Sequence, residues 1–193
     1  MLLGVSLATI ATTACTSTQA GTPGPPSDTT TTTQTEDHGA PRVTTPLDGT
    51  PFVTRPCTVI TPTQLQTLNL PTGEPDTDSA VARAGSPACD WINSDTREGV
   101  GVGFLVGNKN GLSDIYRGRD RFKGYFEPTQ VDGYPAVFSD SGDYRSQGTC
   151  GIAVGISDTM TIRVSEQGRL GVKSCDRAKQ VASMVIQTIK AGG

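Results

Sequence analysis

The chain has 193 residues, of which 34% are hydrophobic and 5% aromatic. Those fractions are low for a wholly globular chain and point to a polar, low-complexity stretch diluting one domain of ordinary size. A net charge of −3 and a pI near 5.1 exclude a nucleic-acid binder built on a basic stripe.

Residues 1–14 open the chain with an apolar and small-residue run, Leu2 to Ala14. It is too short to span a bilayer and reads as the hydrophobic part of an export signal. No Lys or Arg precedes it, so the translation start is expected upstream of Met1. The run ends Thr12-Thr13-Ala14-Cys15, which resembles a bacterial lipobox, with Thr12 standing where a leucine is usual. The resemblance implies that Cys15 is lipidated and becomes the mature N-terminus, anchoring the chain to the membrane.

Residues 15–50 follow as a tether of Thr, Pro, Gly, Ser and acidic residues, with five consecutive threonines at 29–33. With few large apolar side chains it cannot offset the entropy of ordering, and disorder is expected. A flexible chain of this length reaches about 30 Å, lifting residues 51–193 off the membrane as a single extracytoplasmic domain.

That domain holds four cysteines, Cys57, Cys89, Cys150 and Cys175. In an exported domain an even number reads as two disulfides. Three pairings are open; Cys57–Cys89 and Cys150–Cys175 are favoured because each brackets a compact sequence unit. Thr61 with Pro62 predicts the capped start of a short helix carrying Leu65 and Leu68, ended by Pro71-Thr72-Gly73. Ala88 to Asn93 reads as a strand with Cys89 and Trp91 on one face, and Gly99 to Val106 as a second with Val100, Val102, Phe104 and Val106 inward. A middle helix is expected over 111–119, then a short strand at Tyr125–Glu127. A tight turn at Asp132-Gly133 runs into a strand, and a hairpin around Asp158 joins Cys150–Ser157 to Thr159–Ser165. Ser174 is placed as N-cap of a last helix, with Cys175, Ala178, Ala182, Val185 and Ile189 on one stripe. The sum is an α+β domain: an antiparallel sheet of about five strands, with short N-terminal, middle and C-terminal helices packed on it.

Two strands carry a bulky face and a small-residue face. Gly101 and Gly103 lie opposite Val100 and Val102; Gly151, Ala153 and Gly155 lie opposite Ile152, Val154 and Ile156. Either a helix packs closely over the small residues, or Gly101, Gly103, Ala153 and Gly155 floor a shallow cleft for a ligand or partner strand.

An ordered set of segments resembles a known family: Pro56-Cys57 before Thr61-Pro62-Thr63-Gln64-Leu65, then Cys89-Asp90-Trp91, Val131-Asp132-Gly133-Tyr134-Pro135-Ala136-Val137, Cys150-Gly151-Ile152-Ala153-Val154 and Cys175-Asp176-Arg177-Ala178. Together, over about residues 50–190, they are similar to an actinobacterial lipoprotein family called domain of unknown function 3558. The resemblance implies an envelope lipoprotein with two intradomain disulfides and carries over no catalytic or binding residue. The order of elements is also compatible with Mog1/PsbP-like or cystatin-like folds.

Catalytic signals are weak. His38 is the only histidine, so Ser-His-Asp and Cys-His mechanisms have no base. There is no GxSxG, SxxK or P-loop, and Gly99-Val100-Gly101-Val102-Gly103 fails the dinucleotide pattern because position 106 is Val. Asn108-Lys109-Asn110-Gly111 with Asp114 lacks the acids of a calcium loop and reads as a turn. Asp140 with Asp143, and Glu74, Asp76 and Asp78, are read as surface acids rather than a glycosidase pair. Arg117, Arg119, Arg121 and Lys123 are read as a solvated helix end and loop rather than a patch for anionic lipid. The expectation is therefore a non-catalytic binding or interaction module with no cofactor or metal. Its partners would be the membrane through the lipid anchor and an envelope protein or glycan. The alternatives are a carrier of a lipid or small apolar ligand, and, less favoured, a carboxylate-based glycan hydrolase.

Overall fold

The computed structural model describes residues 37–192. The export signal, Cys15 and the tether as far as residue 36 lie outside the described residues.

Twelve helices and strands are arranged as α1 (Thr50–Val53), α2 (Pro62–Leu68), β1 (Glu74–Pro75), α3 (Ala80–Arg83), β2 (Ala88–Ile92), β3 (Gly99–Phe104), α4 (Leu112–Arg117), β4 (Tyr125–Val131), β5 (Tyr134–Asp140), β6 (Thr149–Ser157), β7 (Met160–Gln167) and α5 (Ser174–Lys190). The strands form one sheet in the order β1-β2-β3-β7-β6-β5-β4, and every neighbouring pair is antiparallel. The chain crosses by way of α4 from β3 to the far edge, then returns through three hairpin-joined strands until β7 pairs with β3. The sheet thus has seven strands where about five were expected. One of the additional strands is the two-residue β1, too short to show any periodicity.

Local chemistry accounts for the elements. Thr61 Oγ1 accepts from Gln64 N–H at 3.3 Å and Gln64 Oε1 accepts from Thr61 N–H at 2.8 Å, a reciprocal cap at the start of α2. Asn69, in the left-handed region at φ 51°, ends that helix, two residues before the proline expected to do so. The β4–β5 hairpin turns at Asp132 (φ 49°) and Gly133 (φ 85°), the two successive positive φ values that match strand twist in a two-residue turn. Ser174 is not the cap of α5. A 3-10 turn, Gly171–Lys173, feeds directly into the helix, and the buried Ser174 hydroxyl has no partner among the described residues.

The core lies between α5 and the bulky face of the sheet. Trp91, Val100, Phe104, Ile152, Ile162 and Val164 meet Ala178, Val181, Ala182, Val185 and Ile186, all fully or almost fully buried. Each large aliphatic chain sunk there contributes about 1.5–3 kcal/mol. Disulfides join Cys57 to Cys89 and Cys150 to Cys175, the favoured pairing; the first fastens the segment before α2 to β2, the second α5 to β6.

A smaller cluster of Ala40, Leu112, Tyr116, Val137 and Ala153 covers part of the opposite face. It overturns one boundary: the tether was expected to extend to residue 50, yet Ala40, Val43 and Gly49 are buried. Leu47 N–H donates to Ile156 C=O at 2.8 Å and Val43 N–H to Asp158 Oδ1 at 3.1 Å. A few apolar residues in a polar stretch suffice to pin it when β6 offers a small-residue face.

Candidate functional site

Register decides which side chains share the face away from α5. Asp90 pairs with Gly101, Gly101 with Ser165 and Gly103 with Arg163, and Ser165 with Gly151 and Arg163 with Ala153. All of them point off that face, because directly paired residues in an antiparallel sheet project to the same side.

The four small residues expected to act together are divided between two situations. Ala153 and Gly155 are covered: a β-carbon on Gly155 would stand 3.3 Å from Leu112 Cβ and 3.5 Å from Val43 Cγ2, so α4 and the N-terminal segment pack there. Gly103 lies beneath Val81 of α3, and Gly101 beneath Asp90, whose Oδ1 would be 2.5 Å from a β-carbon at that position. Gly151 plays the same part for Arg163, whose guanidinium occupies the space a side chain would need. Two strand glycines thus let a carboxylate and a guanidinium lie against the sheet.

The result is a groove of about 280 Å³, floored by Gly101, Gly103, Asp90, Arg163 and Ser165 and walled by the Asp76–Val81 segment and Asp140. Arg163 is held at one side: it donates to Ser139 Oγ at 3.1 Å and Ser139 C=O at 2.9 Å, and stands 3.6 Å from Asp140 Oδ2. Asp90 has no such support, since none of the described residues donates a hydrogen bond to its carboxylate or pairs with it. Burial, and then the neighbouring charge of Asp76, push its pKa up to about 6. Asp76 is itself pushed up by burial, but hydrogen bonds from Ser79 and Asp78 bring it below the usual carboxylate range. Asp90 is therefore an acceptor with lone pairs free for an incoming donor, poised between charged and neutral near pH 6.

The other acids weighed from sequence lie outside this arrangement. Asp143 pairs with Arg145 at 2.6 Å. Asp114 accepts from Asn110 N–H and Nδ2 and pairs with Arg117 at 2.7 Å, so the Asn108–Asp114 stretch is a helix-start turn. Glu74 lies on the edge strand and Asp78 in the exposed loop after it. In the basic run, Arg117 is spent on Asp114, and Arg119 stacks 5.1 Å over the Phe126 ring. Among the described residues no three His, Cys, Asp or Glu side chains are grouped to hold a metal ion, and no helix is long and apolar enough to cross a membrane. Asp90 and Arg163 were not singled out from sequence. The glycines opposite them were the signal, but only the strand register connects each glycine to its charge.

The architecture defines an extended antiparallel sheet with one long helix on its bulky face and a polar groove on the other. The chain belongs to the family described as a protein of unknown function (DUF3558), whose sequence profile matches residues 10–188. Neither the curated proteins nor the solved structures gave a match.

Proposed function

We propose that the protein is an actinobacterial envelope lipoprotein, held through Cys15 at the outer face of the cytoplasmic membrane. In this reading its domain is a non-catalytic binding module that engages an envelope protein or glycan through the Asp90–Arg163 groove. The carrying observation is the half-buried Asp90 carboxylate, which lies over Gly101 with no donor among the described residues. Its oxygens are open to the groove, so a ligand donor can take the place of water there and make a charge-assisted hydrogen bond. The two disulfides support export to an oxidising compartment. The aliphatic filling between α5 and the sheet, together with the groove's polar floor, favours a polar ligand over the apolar cargo of a lipid carrier. The long helix laid on one face of an antiparallel sheet also supports a Mog1/PsbP-like likeness.

One observation favours a second reading. Asp90, with its raised pKa, beside the more acidic Asp76 is the asymmetry that a carboxylate-based glycan hydrolase uses.

Capture from envelope extract with the Cys15→Ala form, compared with Cys15→Ala/Asp90→Asn, tests the main reading. Partners retained by the first and lost by the second support it; an identical captured set overturns it. Release of reducing sugar from envelope glycan by the Cys15→Ala form, abolished by Asp90→Asn, would decide for the hydrolase.

A further inference from the structure

The amino-terminal segment enters the domain beside α4. Ala40 is buried in one cluster with Leu112 and Tyr116 of α4, and Phe126 of β4 packs against that cluster. The same corner carries the basic run. Arg117 closes α4, a 3-10 turn spans Arg119–Arg121, and Lys123 leads into β4.

All four cations are exposed. Arg117 pairs with Asp114 at 2.7 Å, but no acid among the described residues forms an ion pair with Arg119, Arg121 or Lys123. Asp140 and Asp143, beside Gly124, are taken by Arg163 and Arg145. Asp120 is the one acid inside the run. The turn therefore holds an excess of positive charge on a chain whose net charge is −3. Its base is fixed by aromatic packing: the Arg119 guanidinium lies 5.1 Å over the Phe126 ring, with Phe122 at 5.9 Å and Tyr116 at 5.0 Å from that ring. Stacking covers one face of the guanidinium and leaves its N–H edge for an anionic oxygen.

Read in sequence alone the run is a solvated helix end; its place beside the entry of the chain gives it an occupant. The inference rests on the reading of Cys15 as a lipid anchor. The anchor lies about twenty residues before Asp37, close enough to hold this corner at high effective concentration over the bilayer. A few basic side chains attract an anionic bilayer only weakly, and a lipid chain supplies the second signal that makes such contacts last. We propose that the Arg119–Lys123 turn docks the domain on the anionic headgroups of the membrane that anchors it, and so sets the domain's orientation.

Orientation is measured on the full ¹⁵N-labelled chain, coupled through the Cys15 thiol to a maleimide lipid in bilayer nanodiscs doped with a gadolinium-chelating lipid. The other four cysteines are held in disulfides, so coupling is confined to Cys15. It supplies the anchor whether or not the cell lipidates that residue, which separates failure to dock from failure of the anchor reading. In discs rich in phosphatidylglycerol, the amides of Gly118, Phe122 and Gly124 are expected to broaden severalfold more than those of Gln180 and Gln187, exposed on α5. The contrast should vanish in phosphatidylcholine discs, in Arg121→Gln/Lys123→Gln, and at about 1 M salt, where screening reaches within about 3 Å. Arg97→Gln/Lys173→Gln, which removes the same charge from exposed positions elsewhere, should keep it. Equal or reversed broadening, a contrast that persists in phosphatidylcholine, or the same loss in both double variants overturns the proposal.

Discussion

Gly101 leaves open the space into which the Asp90 carboxylate folds: a β-carbon there would stand 2.5 Å from Asp90 Oδ1. The small-residue face of β3 is therefore a seat for a charged side chain from the neighbouring strand, and the length of the side chain at 101 controls where that charge lies.

Gly101→Ala is expected to lift the Asp90 carboxylate towards solvent. Its pKa should then fall from about 6 towards the ordinary range, because burial is the main cause of its elevation. A ¹³C NMR titration of the aspartate carboxyls reads this directly. The stability cost should stay within about 1 kcal/mol, since Asp90 can swing away. Gly151→Ala should cost more, about 1–3 kcal/mol, because the Arg163 guanidinium it displaces is held on Ser139 and Asp140.

Glu166 makes stability depend on pH. Burial, reinforced by Glu98 and opposed by Arg177, raises its pKa from 4.5 to about 7 in the folded state. The folded protein then holds a proton that the unfolded chain has released, so the associated stability is complete below about pH 4.5 and is lost as pH rises through about 7. Glu166→Gln mimics the protonated form. It should match the wild type near pH 4.5 and exceed it by up to about 3 kcal/mol at pH 8, as read from urea unfolding at the two pH values.

The two disulfides close loops with sequence separations of 32 and 25 residues. Opening either by paired Cys→Ser substitution should cost about 3.5 kcal/mol on the chain-entropy account. Differential calorimetry of the two double variants should show losses of similar size. Thr61→Ala, which breaks the reciprocal cap of α2, should cost about 1 kcal/mol.

Much of this architecture was legible in sequence because it rests on short-range signals. The alternation of Val100, Val102 and Phe104, the Thr61–Gln64 cap, the Asp132-Gly133 turn and the cysteine bracketing are each read within a few residues, or from one compact segment. What was missed depends on distant partners. Ala40 and Val43 look isolated in a polar stretch; Ala40 gains its place beside Leu112, Tyr116, Val137 and Ala153, and Val43 against Gly155 and Asp158, more than a hundred positions away. Gly101 and Gly151 announced a small-residue face, but the charges that fill it come from β2 and β7, and no local pattern connects them. The 3-10 turn ahead of α5 likewise made Ser174 the first residue of the helix and not its cap, because the chain already winds over Gly171–Lys173.

The claim that the Asp90 groove is the binding surface is tested most directly by photo-crosslinking in living cells. A photoreactive residue would be placed at Ser165, exposed beside Gly101, or at Gln187, exposed on the far side of α5. The account predicts a discrete crosslinked product from position 165 that disappears with Asp90→Asn, and none from position 187. A product that survives Asp90→Asn, or that forms equally from position 187, would contradict it.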